Sequence, residues 1–313
     1  MRTAAVTAHH MWWRGQVNAS RRVNSAVMAS NTSMPASICV AFAFALSTTL
    51  GLQAAPDTTP HTEQYLDANG ARLHYLDYGG VGEPMLLLTG YGSSAHVFDQ
   101  LATRFTNRFR VVALTRRGTS PSSRPVSGYD LDTLTADVIA LSDALKFDRV
   151  HVVAHSLGGA EATQLATTRR DRVASVVYLD AALDAAPAEA IRKQAPIPNP
   201  QPAPGTPFAQ VQEWWAAYRP DFSKVAAPML MLYAIQNQPP VPPNAPPDLK
   251  IKAAAFWRDT WLPFTRSMID RIRRDTPTAH VVVFENTSHY LFRDREADVV
   301  REMLAFYDRT AAR

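Results

Sequence analysis

The chain is short of several things at once. One cysteine, Cys39, stands among 313 residues, so an intramolecular disulfide framework is excluded. No aspartate or glutamate precedes Asp57. Charged residues make up only 19% of the chain while apolar ones reach 46%, which excludes a disordered or collagen-like polymer. Long apolar runs of the kind that build a multi-span membrane protein are missing as well. A net charge of +4, from 32 basic and 28 acidic residues, would suit an anionic partner, but Arg2, Arg14, Arg21 and Arg22 all lie ahead of the first acid. From residue 55 onward 28 bases balance 28 acids, and no nucleic-acid partner is expected.

The acid-free segment has a character of its own. Ala36–Leu46 is an apolar run about as long as a signal-peptide core, and Leu52-Gln-Ala-Ala-Pro56 supplies small residues where a signal peptidase could cut, near Ala54 or Ala55. Residues 1–54 are therefore expected to be a leader, and the remaining chain to be exported to the periplasm or the medium. No stable membrane insertion is expected once the leader is removed. The arginines lie unusually far upstream of the apolar run, so two alternatives stay open: an uncleaved N-terminal membrane anchor, or a cytoplasmic protein whose start was placed too early.

Residues 55–313 have the size of one α/β domain. Glu63–Asn69 and Arg72–Tyr78 alternate as strands around Asn69-Gly70, a hairpin signal. Short apolar runs follow at Met85–Thr89, Arg110–Thr115, Val150–Ala154, Val173–Leu179, Met229–Ala234 and Val281–Phe284. Helical patterns at Leu131–Lys146, Leu157–Thr168 and Arg295–Tyr307 separate several of them. That succession predicts a mostly parallel central sheet with helices on both faces. Two proline-rich stretches break it. Gln236–Pro247 reads as a surface loop, whereas residues 182–224, with the aromatic piece Val211–Tyr218, read as a small inserted cap after the sixth strand.

Arg149-Val-His-Val-Val-Ala-His-Ser-Leu-Gly-Gly-Ala160 is the most informative stretch. A β-rich run meets Ser156 and turns straight into a helical pattern, the strand-to-helix elbow that exposes a nucleophilic serine oxygen. Here the chain resembles the α/β-hydrolase superfamily, in its serine-nucleophile, esterase-like branch, from about Glu63 to the C-terminus. Leu87-Leu-Thr-Gly-Tyr-Gly-Ser-Ser94, Thr115-Arg-Arg-Gly-Thr-Ser-Pro-Ser-Ser-Arg-Pro125, Ala154–Gly158 and Asn286-Thr-Ser-His-Tyr290 carry the resemblance, in the family's order. The sequence departs from the family's usual residues at Thr89, Thr115, Ser120 and Ala154, none of which is a reacting group.

The resemblance implies Ser156 as nucleophile and His289, beyond the last strand, as its base. A serine hydroxyl needs such a base at neutral pH. The family's commonest position for the acid, after the penultimate strand, offers no carboxylate, because Leu232-Tyr-Ala-Ile-Gln-Asn-Gln238 has none. Asp180, at the end of the preceding strand, is the preferred acid, with Asp184 and Asp248 as alternatives. Backbone N–H groups of Tyr91 and Leu157 are the expected oxyanion donors. Trp214, Trp215 and Tyr218 in the cap suggest a pocket for apolar or aromatic groups.

The expected activity is hydrolysis of small or medium carboxylic esters through an acyl-enzyme. No metal-ligand cluster or phosphate-binding glycine loop is read, so neither metal nor cofactor is expected. The same three residues would also serve a carbon–carbon bond hydrolase, a lactonase, an aminopeptidase or a perhydrolase. An aminopeptidase needs an acid for the substrate amine, for which Glu161 and Glu213 are the only hints. A ligand-binding protein without turnover is the reading of a different class.

Overall fold

Asn69 and Gly70 both take positive φ, 48° and 73°, the backbone that a two-residue hairpin turn requires. They join β1 (Thr62–Ala68) to β2 (Ala71–Gly79) in an antiparallel pair running from Thr62 opposite Asp77 to Ala68 opposite Ala71. This is a computed structural model, and it describes residues 59–181, 183–197 and 202–311. The expected leader, its cleavage site and Cys39 lie outside the described residues, as do Ala182 and residues 198–201 of the expected cap.

The chain continues through β3 (Glu83–Leu88), a tight turn at Ala95–Phe98, α1 (Asp99–Thr103), β4 (Phe109–Thr115), α2 (Leu131–Ala144), β5 (Val150–His155), α3 (Gly158–Thr168) and β6 (Val173–Leu179). Next come α4 (Ala185–Arg192), α5 (Pro207–Trp215), β7 (Met229–Ile235), α6 (Pro247–Phe256), α7 (Leu262–Asp275), β8 (Ala279–Glu285), α8 (Leu291–Asp294) and α9 (Glu296–Ala311). The strands form one sheet in the order β1-β2-β4-β3-β5-β6-β7-β8. β2 pairs antiparallel with β4, and every neighbouring pair from β4 to β8 is parallel.

Strands covered on both faces need no polar side, which explains why β3, β5 and β6 are dominated by apolar residues, with His151 and Ser175 paired to each other at 2.8 Å. Leu86, Leu87, Val152, Val153, Val176 and Val177 are completely buried. Each such side chain contributes roughly 1.5–3 kcal/mol of burial free energy. Parallel pairing also brings the C-terminal ends of β3, β5, β6, β7 and β8 to one edge of the sheet, where ligand sites of open α/β sheets form.

The proline-rich segment after β6 folds back on itself. Ala185 N donates to Tyr218 O at 3.2 Å, closing the base of a cap made of α4 and α5. Beside that closure the buried Asp184 accepts from Arg219 Nη1 at 2.9 Å and Arg271 Nη2 at 3.0 Å, tying the cap to α7. The aromatic helix begins four residues earlier than its apolar pattern suggests, because Thr206 caps it and Pro207 occupies the first turn. Pro247, read as the end of a loop, instead opens α6 for the same reason. Among the described residues no helix is long and apolar enough to cross a membrane.

Candidate active site

The site is built around the junction of β5 and α3. All six residues of β5 are buried, and the chain leaves the strand through Ser156 at φ 54°, a left-handed conformation that side chains avoid. Such a backbone costs on the order of 1–3 kcal/mol and persists only where its surroundings hold it. Ser156 N donates to Leu179 O at 3.3 Å, and Gly159 N donates back to Ser156 O at 3.0 Å. Close packing dictates glycine on either side of the serine. A Cβ on Gly158 would fall 2.7 Å from Leu88 O, and one on Gly90 would fall 2.9 Å from His155 Nδ1 and 3.0 Å from Ser156 Cβ. Gly90 thus brings the turn after β3 directly against the serine.

His289 and Asp180 meet at the same edge. Asp180 follows β6 at φ 46°, and Nδ1–H of His289 donates to its Oδ2 at 2.6 Å. Ala234 N of β7 donates to the other carboxylate oxygen at 3.0 Å, so both oxygens are engaged. The proton on Nδ1 leaves Nε2 of the imidazole as an acceptor, the form a general base needs. The segment carrying His289 is held by Asp294, whose Oδ2 accepts from Ser288 N at 2.8 Å and Thr287 Oγ1 at 3.2 Å. His155 adds a second hold: Nε2–H donates to the His289 carbonyl at 3.0 Å, and the two rings lie 4.5 Å apart. Burial, and then the neighbouring His289, keep His155 well below its usual pKa, so its ring is neutral.

The other carboxylates considered from sequence lie elsewhere. Asp184 is occupied by two arginines at the cap base, and Asp248 sits exposed in the first turn of α6. Glu161, considered as an amine ligand, is 2% exposed and paired with Arg116, while Glu213 is exposed on α5. The buried pairing with Arg116 leaves Glu161 no free carboxylate for a substrate amine, so the aminopeptidase alternative rests on Glu213 alone.

The two amides expected as oxyanion donors lie on the two turns that meet at Gly90 and Ser156. The hydrogen bonds that hold these turns, Ser93 N to Gly90 O and Ala160 N to Leu157 O, do not use the N–H of Tyr91 or Leu157. Helix α5 covers this side. Tyr129, Leu157 and Val211 form a small buried cluster with Tyr91, Trp214 and Trp215 against it. Trp214 Nε1 donates to Tyr129 O at 2.8 Å, and Trp215 stacks on Tyr218 with ring centroids 5.4 Å apart. Phe208, which drew no attention in the sequence, lies 4.5 Å from the Tyr91 ring. Burial raises the Tyr91 hydroxyl to about 12, so it stays protonated.

The family model described as "Alpha/beta hydrolase family" matches residues 85–302, most of the described chain. The chain belongs to this family. It is 33% identical over 123 residues to a soluble epoxide hydrolase of Corynebacterium sp. (strain C12), covering 39% of this chain and 43% of that protein. It is 43% identical over 101 residues to a 2-heptyl-3-hydroxy-4-quinolone dioxygenase of Rhodococcus erythropolis, covering 31% and 37% respectively. The matches thus span less than half the length of either relative. Among solved structures, a membrane phospholipase A described as a bacterial virulence factor superposes with a TM-score of 0.59. The overlap is 81% of this chain and 87% of that one at 22% identity, a likeness of fold. Family membership establishes the scaffold; the reaction has to come from the site.

Proposed function

We propose that the chain is a serine hydrolase that cleaves carboxylic esters of small or medium, apolar or aromatic substrates through an acyl-enzyme. The observation that carries this reading is the 2.6 Å contact of Asp180 with His289 at the sheet edge where Ser156 is held in its strained elbow. Ser156 Oγ attacks the ester carbonyl carbon while Nε2 of His289 takes the hydroxyl proton. The oxyanion rests on the Tyr91 and Leu157 amides; one well-placed donor of this kind is worth roughly 3 kcal/mol in turnover. Collapse of the tetrahedral adduct breaks the bond to the leaving alcohol, which takes its proton from His289. Water, deprotonated by His289, then attacks the acyl carbon, and the acid leaves as Ser156 regains its proton.

The relatives' names span epoxide hydrolysis and oxygenation, so similarity alone does not choose the reaction. Serine is an acyl-transfer nucleophile, whereas ring opening through an alkyl-enzyme calls for a carboxylate at the elbow. The aromatic side chains of α5 and Tyr91 favour an apolar or aromatic acyl or alcohol group. A series of nitrophenyl esters of increasing acyl length tests the proposal, with Ser156→Ala as control. Hydrolysis lost in the variant supports it. Equal rates in both proteins, or none in the native one, overturn it.

A further inference from the structure

The amide of Tyr91 is one end of a peptide unit whose other end is the carbonyl of Gly90. That carbonyl accepts from Arg116 Nη1 at 3.2 Å, and the preceding one, Thr89 O, accepts from Arg116 Nη2 at 2.6 Å. The third nitrogen of the same guanidinium, Nε, donates to Glu161 Oε1 in the first turns of α3. Both side chains are buried, at 5% and 2% exposure. A cation enclosed in this way is costly unless fully engaged, and this one is engaged on three sides.

We infer that Arg116 is a positioning residue for the oxyanion site, fixing the Tyr91 amide relative to the Ser156 elbow through the Gly90 carbonyl and Glu161. The inference rests on the acyl-transfer reading above for its catalytic consequence, but not for its structural one. The C=O and N–H of a planar peptide point in opposite directions, so holding Gly90 O sets the direction of Tyr91 N–H. A charge-assisted bond to that carbonyl also polarises the peptide and makes its N–H a better donor. Glu161 anchors the guanidinium to α3, the helix that directly follows Leu157, the other donor. One buried ion pair therefore ties together the two backbone elements whose spacing defines the oxyanion site. Arg117 provides an internal comparison: it forms an equally buried pair with Asp137, but its remaining bond goes to Asn69 O in the β1–β2 turn.

Two readouts test the assignment on the full chain. In protein labelled with ¹⁵N-tyrosine, the Tyr91 amide signal is identified by its loss in Tyr91→Phe. It is expected to move upfield in Arg116→Met and to hold its position in Arg117→Met. For nitrophenyl esters, Arg116→Met should lower kcat about 10- to 100-fold with KM changed less than threefold, as expected for a donor displaced by a fraction of an ångström. Arg116→Lys should recover part of that loss. Glu161→Gln, which keeps the shape of the side chain, should lie between native protein and Arg116→Met, and serves if the methionine variant does not fold. An unmoved Tyr91 amide together with native kcat in folded Arg116 or Glu161 variants overturns the inference, as does an equal kcat loss in Arg117→Met. If the native protein hydrolyses no ester, the functional reading fails by itself, and the Tyr91 signal still decides the role of Arg116.

Discussion

Asp180 and His289 come from strands that do not touch. β6 and β8 are separated by β7, and the Asp180 carboxylate bridges the gap with one oxygen on Ala234 N of β7 and the other on His289 Nδ1. A carboxylate after β6 therefore reaches an imidazole after β8 only by leaning over the end of the strand between them. Asp180→Asn should keep the fold and lower kcat about 10³- to 10⁴-fold, since the amide no longer selects the right tautomer. Asp184→Asn and Asp248→Asn should retain turnover, the former losing thermal stability as its two arginines lose their anionic partner. Steady-state kinetics of the three proteins separate these outcomes; native-like turnover in Asp180→Asn contradicts the assignment.

The backbone of Ser156 offers a second check. Its φ of 54° is comfortable only for glycine. Ser156→Gly should be more stable than Ser156→Ala by about 1 kcal/mol, because the alanine keeps its Cβ in the same strained conformation. Denaturant melts of the two variants measure the difference directly. Equal midpoints mean the elbow stores no strain.

Buried His155 gives the fold a pH dependence of definite sign. Burial depresses its folded pKa well below the ordinary value of 6.5. Below that ordinary value the unfolded chain binds a proton that the native protein refuses. The contribution is therefore fully present above about pH 6.5 and is lost as pH falls toward the folded value. His74 and His151 are lowered too, chiefly by burial, and add smaller terms of the same sign. Calorimetric Tm values should fall from pH 7 to pH 5, and less steeply in His155→Asn, which keeps an N–H donor without a titrating ring. An unaltered slope in that variant rules out the contribution.

What is legible in the sequence follows the range of the interactions involved. The central strands are legible because burial on both faces leaves short apolar runs, and β1 and β2 because they alternate around Asn69-Gly70, which marks the turn chemically. Helices α6 and α7 carry no clear pattern in the sequence: their apolar residues follow a dense run of prolines, and Pro263 interrupts the pattern. The tryptophans mark the cap helix in the sequence, whereas its start at Pro207 is hidden because Thr206 and Pro207 read as loop. Ser156 is marked by a local motif, and His289 by its place after the last strand. The Arg116–Glu161 pair has no local signature. Its partners are 45 residues apart, and only a solitary acid in the small-residue helix Gly158–Thr168 hints that a buried cation must exist. Phe208 has no local signature either, since its contact with Tyr91 joins residues far apart in the chain.

The most direct test of the whole account is covalent trapping with a fluorophosphonate, followed by mass mapping of the adduct. A single phosphonyl group on the peptide containing Ser156 is expected, absent in Ser156→Ala and formed far more slowly in His289→Ala and Asp180→Asn. An adduct on another residue, labelling that survives Ser156→Ala, or no labelling of the native protein contradicts it.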